Sequence, residues 1–272
     1  MPSSPSRERP PAPLRRDDAS GVTTLTLQSP ASRNALSLAM IEALIDALAA
    51  IETDPTTRVA VLAGDGPALS AGHDLKELQA HRNDEDRGRA FFEQAMTRCS
   101  ALMRAIVALP KPVIAAVEGV ATAAGCQLVA ACDLAIAGAE ARFALPGVSI
   151  GLFCSTPLVA VGRSVSRKHA MEMALTGDLY DAQTAERFGL VNRVVAAGAA
   201  RAVAQALAQR IAARSSATLA IGKHTFYRQI DLPLAEAYGL AAAAMVDNLL
   251  HPDAAEGAAA FLDKRPPRWG DA

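Results

Sequence analysis

Aromatic residues are scarce in this chain. They make up 4% of its 272 residues, as seven phenylalanines, three tyrosines and one tryptophan. Hydrophobic residues still reach 51%, so the interior has to be packed from alanine, valine, leucine and isoleucine, side chains that let backbones approach closely. Excess charge of one sign is absent as well: 27 Lys and Arg oppose 28 Asp and Glu, for a net charge of -1. That balance removes the electrostatic footprint of a nucleic-acid or anionic-membrane partner, and neither is expected. A charged fraction of 20% beside so much apolar residue also excludes general disorder.

Cofactor and metal signatures are missing too. The four cysteines, Cys99, Cys126, Cys132 and Cys154, form no CxxC pair and have no histidines at zinc spacing. They read as buried thiols in a reducing compartment, with no metal. No G-x-G-x-x-G follows a strand and no phosphate-binding P-loop occurs, which argues against nicotinamide dinucleotides and ATP. The most membrane-like stretch, 113–139, is interrupted by Glu118, Gln127 and Asp133 and leaves no run of about 20 apolar residues. Nor is there an apolar signal-peptide core near Met1. A soluble protein is expected.

Residues 1–20 are rich in Pro, Ser and Arg and have almost nothing to bury, which reads as a disordered leader. It suits a bacterial cytoplasmic protein, with a mitochondrial transit peptide as the alternative. From 21 to about 200 strands and helices alternate. VTTLTL (22–27) and RVAVLA (58–63) read as strands, Ser37 caps a helix running to about Glu52, and 80–90 reads as a polar surface loop. A helix over 90–109 ends at Pro110. The remainder, 201–272, reads as helical. These patterns predict an α/β core followed by a C-terminal helical region.

Two segments share one character: a buried strand, then very small residues, then a helix start. They are RVAVLAGDGPALSAGHDLKEL (58–78) and KPVIAAVEGVATAAGCQL (111–128). Helix N-termini present unpaired N–H groups with partial positive charge. Ala71, Gly72, Ala123, Ala124 and Gly125 leave such groups sterically uncovered, so a carbonyl could be polarised between two of them. The alternative is that small residues merely allow tight helix–sheet packing.

The residues of these segments resemble the crotonase (enoyl-CoA hydratase/isomerase) superfamily. SRNALSLAM (32–40), SAGHDLKEL (70–78) and PVIAAVEGVATAAGCQLVAACDLAIA (112–137) are similar to its landmarks. LTG and DAQTAERFGLVNRVV (175–195), then EGAAAFLDKRPPRW (256–269), follow in the family's order. The resemblance implies a spiral of ββα units with a helical C-terminal trimerisation region, and a homotrimer or hexamer. It further implies that the backbone N–H groups of His73 and Ala124 form an oxyanion hole for an acyl-CoA thioester. Arg33, Ala35, Ala71, Asp74, Leu75 and Val120 match positions lining the CoA channel, and Phe261 and Lys264 match residues that reach a neighbour's CoA. Coenzyme A then enters as part of the substrate, with no separate cofactor.

The departure from the family matters as much. Hydratases of the family use two glutamates, and here Gln127 and Gly147 stand at their positions. Glutamine has no useful pKa and glycine no side chain. Each general acid–base group supplies about 10²–10⁴-fold, so hydration should be severely weakened, and glutamate at both positions should raise it. One alternative is a catalytically inactive CoA-thioester binding or regulatory protein. ALPGVSIG (144–151) and GLFCSTP (151–157) are similar to a divergent subgroup, the third type of enoyl-CoA hydratase domain-containing proteins, where lack of the pair is normal. Within GLFCSTP, Cys154 and Ser155 are nucleophile-type side chains.

GVSIG (147–151) also satisfies the G-x-S-x-G nucleophile elbow of serine hydrolases. Ser149 would be its nucleophile, with Asp178, Asp181 or Asp231 and then His224 or His251 in the required order. Pro146 directly before the turn argues against it. His81, His169 and His251 read as surface or structural histidines.

Overall fold

The structure, a computed structural model, describes residues 12–270. Strands β1 (Leu14–Ala19) and β2 (Val22–Leu27) come first, then helix α1 (Leu38–Thr53). Strand β3 (Val59–Gly64) is followed by β4 (Ala68–Ser70) and helices α2 (Leu75–Ala80) and α3 (Arg89–Ala108). The pattern repeats with β5 (Val113–Val117), β6 (Val120–Thr122) and α4 (Ala124–Ala131). It repeats again with β7 (Leu134–Gly138), β8 (Arg142–Ala144), α5 (Ser155–Ser164) and α6 (Arg167–Thr176). Then come β9 (Tyr180–Asp181), α7 (Ala182–Phe188) and β10 (Arg193–Val195). Helices α8 (Ala200–Ala212), α9 (Ser216–Gln229), α10 (Leu234–Leu250) and α11 (Pro252–Leu262) finish the chain.

The first strand of each repeat joins a six-stranded sheet in the order β1-β2-β3-β5-β7-β10, parallel except for β1 against β2. The second strand joins a four-stranded sheet, β4-β6-β8-β9. Each turn therefore steps from one sheet to the other and returns through a helix, which is the ββα spiral that the motifs imply.

The leader ends earlier than its composition suggests. Its residues 1–11 lie outside the described part, but Leu14–Ala19 is a strand, paired antiparallel from Leu14↔Leu27 to Ala19↔Val22. The tight turn is made by Ser20 and Gly21, both at positive φ. LRRDDA reads as solvated because of its charges, which pair along the edge strand, Arg15 with Asp17 at 2.8 Å and Arg16 with Asp18 at 3.0 Å, and beyond it, Arg15 with Asp65 at 3.4 Å and Arg16 with Asp54. Charged side chains of this kind are typical of sheet edges.

Strand β2 is buried along its whole length rather than on one face. Two of its threonines find partners from both layers, Thr23 with Thr57 at 2.6 Å and Thr24 with Gln205 of α8 at 3.2 Å, while the buried Thr26 hydroxyl has none among the described residues. Helix α8 covers that second face with Ala200, Ala204, Ala208 and Ala212, one per turn. These pack on Val59, Val61, Ile114 and Ile136 of the sheet. Alanines at i, i+4 spacing make one smooth stripe, so the helix sits close without aromatic filling. Phe143 is the bulkiest of the fully buried side chains.

Helix α8 is thus part of the core, whereas α9 and α10 bury no residue completely. What fastens α9 is Lys223, whose ammonium donates to Asp133 at 2.7 Å and to the carbonyls of Ile106 and Lys111. Among the described residues no helix is long and apolar enough to cross a membrane.

Candidate active site

The strap at 33–36 is shaped by Asn34. After a short turn at Pro30–Ser32, Arg33 and Asn34 both adopt positive φ, and asparagine tolerates that conformation through local hydrogen bonds. Asn34 is fully buried and its amide is satisfied, donating to the carbonyls of Asp65 (2.9 Å) and Ala68 (2.7 Å) and accepting from Ser29 N–H (2.8 Å). Thus anchored, the strap runs beside the segment after β4. Ala71 N–H donates to the Arg33 carbonyl at 3.0 Å and Leu36 N–H to the Gly72 carbonyl at 2.8 Å.

That segment meets the start of α4. Gly72 has φ +92°, and a Cβ on it would lie 2.9 Å from the Cβ of Ala123 and 3.2 Å from the amide nitrogen of Ala124. At Gly125 the approach is closer still, since a Cβ would stand 2.1 Å from the carbonyl oxygen of Ser70. The small residues are therefore required by the crossing itself. Thr122 ties the two chains with a hydroxyl bond to the Ala71 carbonyl at 3.2 Å, and Ser70 accepts from Gly72 N–H at 3.2 Å. Ala123 N–H goes to the Ala144 carbonyl. The N–H groups of His73 and Ala124 have no acceptor among the described residues. The His73 ring is held neutral by burial, which lowers its pKa against a bond to the Leu36 backbone, and its Nε2 is buried without a partner.

One turn along α4, Gln127 is 3% exposed and faces α3, with its Oε1 at 4.0 Å from the Cys99 sulfur. Gly147 lies buried in a short turn at Pro146–Ile150. A Cβ there would be 2.7 Å from the Leu152 carbonyl oxygen and 2.9 Å from the Cys154 sulfur. Burial raises the Cys154 thiol pKa, opposed by a bond from the Gly147 backbone. Burial likewise pushes Cys99 up to about 11 and Cys126 up to about 12. All four cysteines are free and buried; thiols in this state are poor nucleophiles.

Of the residues singled out in the sequence, Arg33, Ala35, Ala71, His73 and Ala124 come together at the crossing, with Val120 on the adjoining β6. Asp74 is committed to capping α2, accepting from Lys76 N–H at 2.9 Å and Glu77 N–H at 3.2 Å, and Leu75 is exposed beside it. Phe261 and Lys264 stand exposed at the end of α11, which packs mainly on α9 and α10. Ser149 is an exposed residue of the Pro146–Ile150 turn, so the hydrolase elbow, which needs a strand directly before the serine and a helix directly after, is not formed. His81, in the loop after α2, stacks on Phe91 at 3.7 Å. Asn34, Ser70 and Thr122 went unnoticed in the sequence. Their signal was a polar residue inside an otherwise apolar or glycine-rich motif.

The enoyl-CoA hydratase/isomerase family model matches residues 17–272. Rat mitochondrial enoyl-CoA hydratase domain-containing protein 3 is 44% identical over 268 residues, covering 98% of this chain and 87% of the rat protein. Human enoyl coenzyme A hydratase domain-containing protein 3 superposes with a TM-score of 0.90 at 43% identity, covering 94% of this chain and 100% of that one. An enoyl-CoA hydratase of Mycobacterium smegmatis gives 0.89 at 48% identity, covering 94% and 98%. The chain belongs to the enoyl-CoA hydratase/isomerase family.

Proposed function

We propose that the chain binds an acyl-CoA thioester with the carbonyl oxygen between the N–H groups of His73 and Ala124, and that it does not perform two-carboxylate hydration. The observation supporting the first half is the crossing of Gly72 and Ala124, where two amides are left without acceptors beside residues too small to cover them. Charge developing on a thioester oxygen is stabilised most by donors fixed beforehand; one such donor is worth about 2.7–4 kcal/mol of barrier. Arg33, Ala35, Ala71, Asp74, Leu75 and Val120 would border the CoA moiety. Asp74 would contribute through its backbone, because its carboxylate holds α2. Phe261 and Lys264 would meet the CoA of a neighbouring copy in a trimer or hexamer.

The second half is supported by Gln127 and Gly147. Adding water across an enoyl double bond needs a group that takes a proton from water and one that delivers a proton to the α-carbon. Gln127 can orient water but cannot exchange a proton usefully near neutral pH. A binding or regulatory role without turnover is therefore the second reading, favoured by the sealed space at Gly147. The vertebrate relatives are named as mitochondrial, which supports the mitochondrial alternative for the compartment.

Calorimetric titration should show acetyl-CoA binding more tightly than free CoA. Crotonyl-CoA, followed by its enoyl absorbance, should be hydrated about 10⁴-fold more slowly than by a relative with both glutamates. Absence of thioester binding overturns the first half, and an ordinary hydration rate overturns the second.

A further inference from the structure

His73 lends its backbone N–H to the crossing, and its side chain is left in an unusual state. The ring's Nε2 is buried with no hydrogen-bond partner among the described residues. Its one polar contact is with the Leu36 backbone, and that contact favours the protonated ring, so a ring N–H is donated to the carbonyl. With Nε2 unpartnered, the donor is Nδ1, which leaves Nε2 with a bare lone pair. An unpaired neutral acceptor is tolerable in such a place, and a cation is not. Protonation would put an N–H and a positive charge on a buried nitrogen with nothing to accept from it, which costs far more.

The backbone around the ring can transmit that penalty. Leu36 and His73 form a parallel bridge, with Leu36 N–H donating to the Gly72 carbonyl at 2.8 Å. On one side stands Gly72 at φ +92°, a conformation that glycine enters and leaves at little cost. On the other, Asp74 is fixed as the cap of α2 by the N–H groups of Lys76 and Glu77. A ring forced out of its slot therefore turns the chain at Gly72, and the N–H that turns with it is His73's own. The charged groups of the packed elements are Arg33 on the strap, Asp74 at the cap, and Lys76 and Glu77 in α2. Glu77 is taken up by Leu38 N–H at 3.0 Å. The ring's shift comes from burial and the Leu36 backbone, with none of these four contributing. Helix α4 brings only the uncharged Gln127 and the thiol of Cys126, kept neutral by burial.

We propose that the His73 side chain is a positioning residue for the thioester site: the neutral ring, seated against Leu36, keeps the His73 N–H in the hole, and a protonated ring withdraws it. The proposal rests on the thioester reading above and adds to it a dependence on the charge of one side chain. A ring whose pKa is lowered from the ordinary 6.5 stays neutral above that pH. Thioester affinity is therefore complete there and falls as the pH drops through the lowered value, by at most about tenfold per pH unit for one proton.

The test is the calorimetric affinity of the full-length protein for acetyl-CoA and for free CoA, from about pH 8 through the histidine range down to the onset of unfolding seen by circular dichroism. Both ligands carry the same phosphates, so the ratio of their affinities isolates the thioester carbonyl. That ratio should be constant above pH 6.5 and fall at least threefold before the chain unfolds. His73→Asn offers Leu36 an amide donor and cannot titrate, and His73→Phe fills the slot without a charge. In either variant the ratio should lose its dependence on pH, and one folded variant suffices. A wild-type ratio that stays flat down to unfolding, or a fall that persists in a variant, overturns the proposal and leaves the thioester site standing. Equal affinity for acetyl-CoA and CoA at neutral pH removes the thioester site and the proposal with it.

Discussion

Gly147 and Cys154 face each other so closely that a Cβ on the glycine would stand 2.9 Å from the cysteine sulfur, with the Leu152 carbonyl oxygen nearer still at 2.7 Å. The family resemblance implies that glutamates at 127 and 147 would raise hydration, and the packing at Gly147 argues against it. A thiol can rotate but a backbone carbonyl cannot, so the turn at Pro146–Ile150 would have to move. Overpacking of this kind costs about 1–3 kcal/mol. The double variant Gln127→Glu, Gly147→Glu should therefore melt below the wild type and hydrate crotonyl-CoA no faster than Gln127→Glu alone. A clear gain from the second glutamate, measured by enoyl absorbance, would show that the turn opens.

Ala123 holds a conformation suited to glycine. As the residue before α4 it has φ 51° and ψ -119°, outside the left-handed well that residues with a Cβ occasionally visit. Such strain costs about 1–3 kcal/mol, while glycine loses about 0.5–1 kcal/mol in chain entropy. Ala123→Gly should thus be neutral to stabilising, by up to about 2 kcal/mol, in urea denaturation. Gly72→Ala should do the reverse, since φ +92° and contacts at 2.9 and 3.2 Å leave its methyl no room. It should also weaken acetyl-CoA binding by at least tenfold, because the methyl would rest against the Ala124 amide. If acetyl-CoA binds Gly72→Ala normally, that amide is not in the site.

Where local chemistry decides an element, the sequence displayed it. Ser37 does cap α1, accepting from Met40 N–H, and the small-residue runs at 71–72 and 123–125 mark the crossing of the two chains. Features set by distant partners were illegible. LRRDDA looks unstructured until β2 is placed beside it, and VTTLTL looks half-exposed until α8 covers its second face. Nothing near Gly147 announces the sulfur of Cys154 seven residues later, so the missing glutamate could be read as a lost side chain but not as a filled space. Fold and crossing were legible, whereas the packing around Gly147 depends on a turn that brings Leu152 and Cys154 back onto it.

Helices α9, α10 and α11 expose apolar side chains that none of the described residues of a single copy covers. Leu234 is 74% exposed, Leu250 79% and Phe261 83%. Apolar surface on this scale is what the trimer or hexamer proposed above would cover. The protein should elute with light-scattering mass three or six times the chain's 28.3 kDa, and Met245→Glu with Leu249→Glu should shift it toward one copy. A monomeric wild type would leave these helices without the proposed role, and with them the access of Phe261 and Lys264 to a neighbour's CoA.

The single tryptophan provides an optical report on the C-terminal tail. Trp269 donates its indole N–H to the Ala213 carbonyl at 2.9 Å, and a Cβ on Gly257 would lie 3.2 Å from its ring. The tail is held by Glu256, which accepts from Arg265 at 2.7 and 3.0 Å and from Arg268 N–H at 2.7 Å. The Arg265 guanidinium, with the Arg268 amide, lowers the Glu256 pKa from 4.5 to about 2. A carboxylate depressed on folding stabilises the docked tail above its free pKa and ceases to do so as pH falls through the folded value. Trp269 emission should therefore stay constant above pH 4.5 and move to longer wavelength between there and about 2, ahead of the loss of helical circular dichroism. Glu256→Gln should show the shifted emission already at neutral pH and little change on acidification. Wild-type emission that moves only together with circular dichroism, or an unshifted Glu256→Gln spectrum at pH 7, would assign the anchoring to other groups, such as Asp253, which holds Gly270 N–H at 2.8 Å.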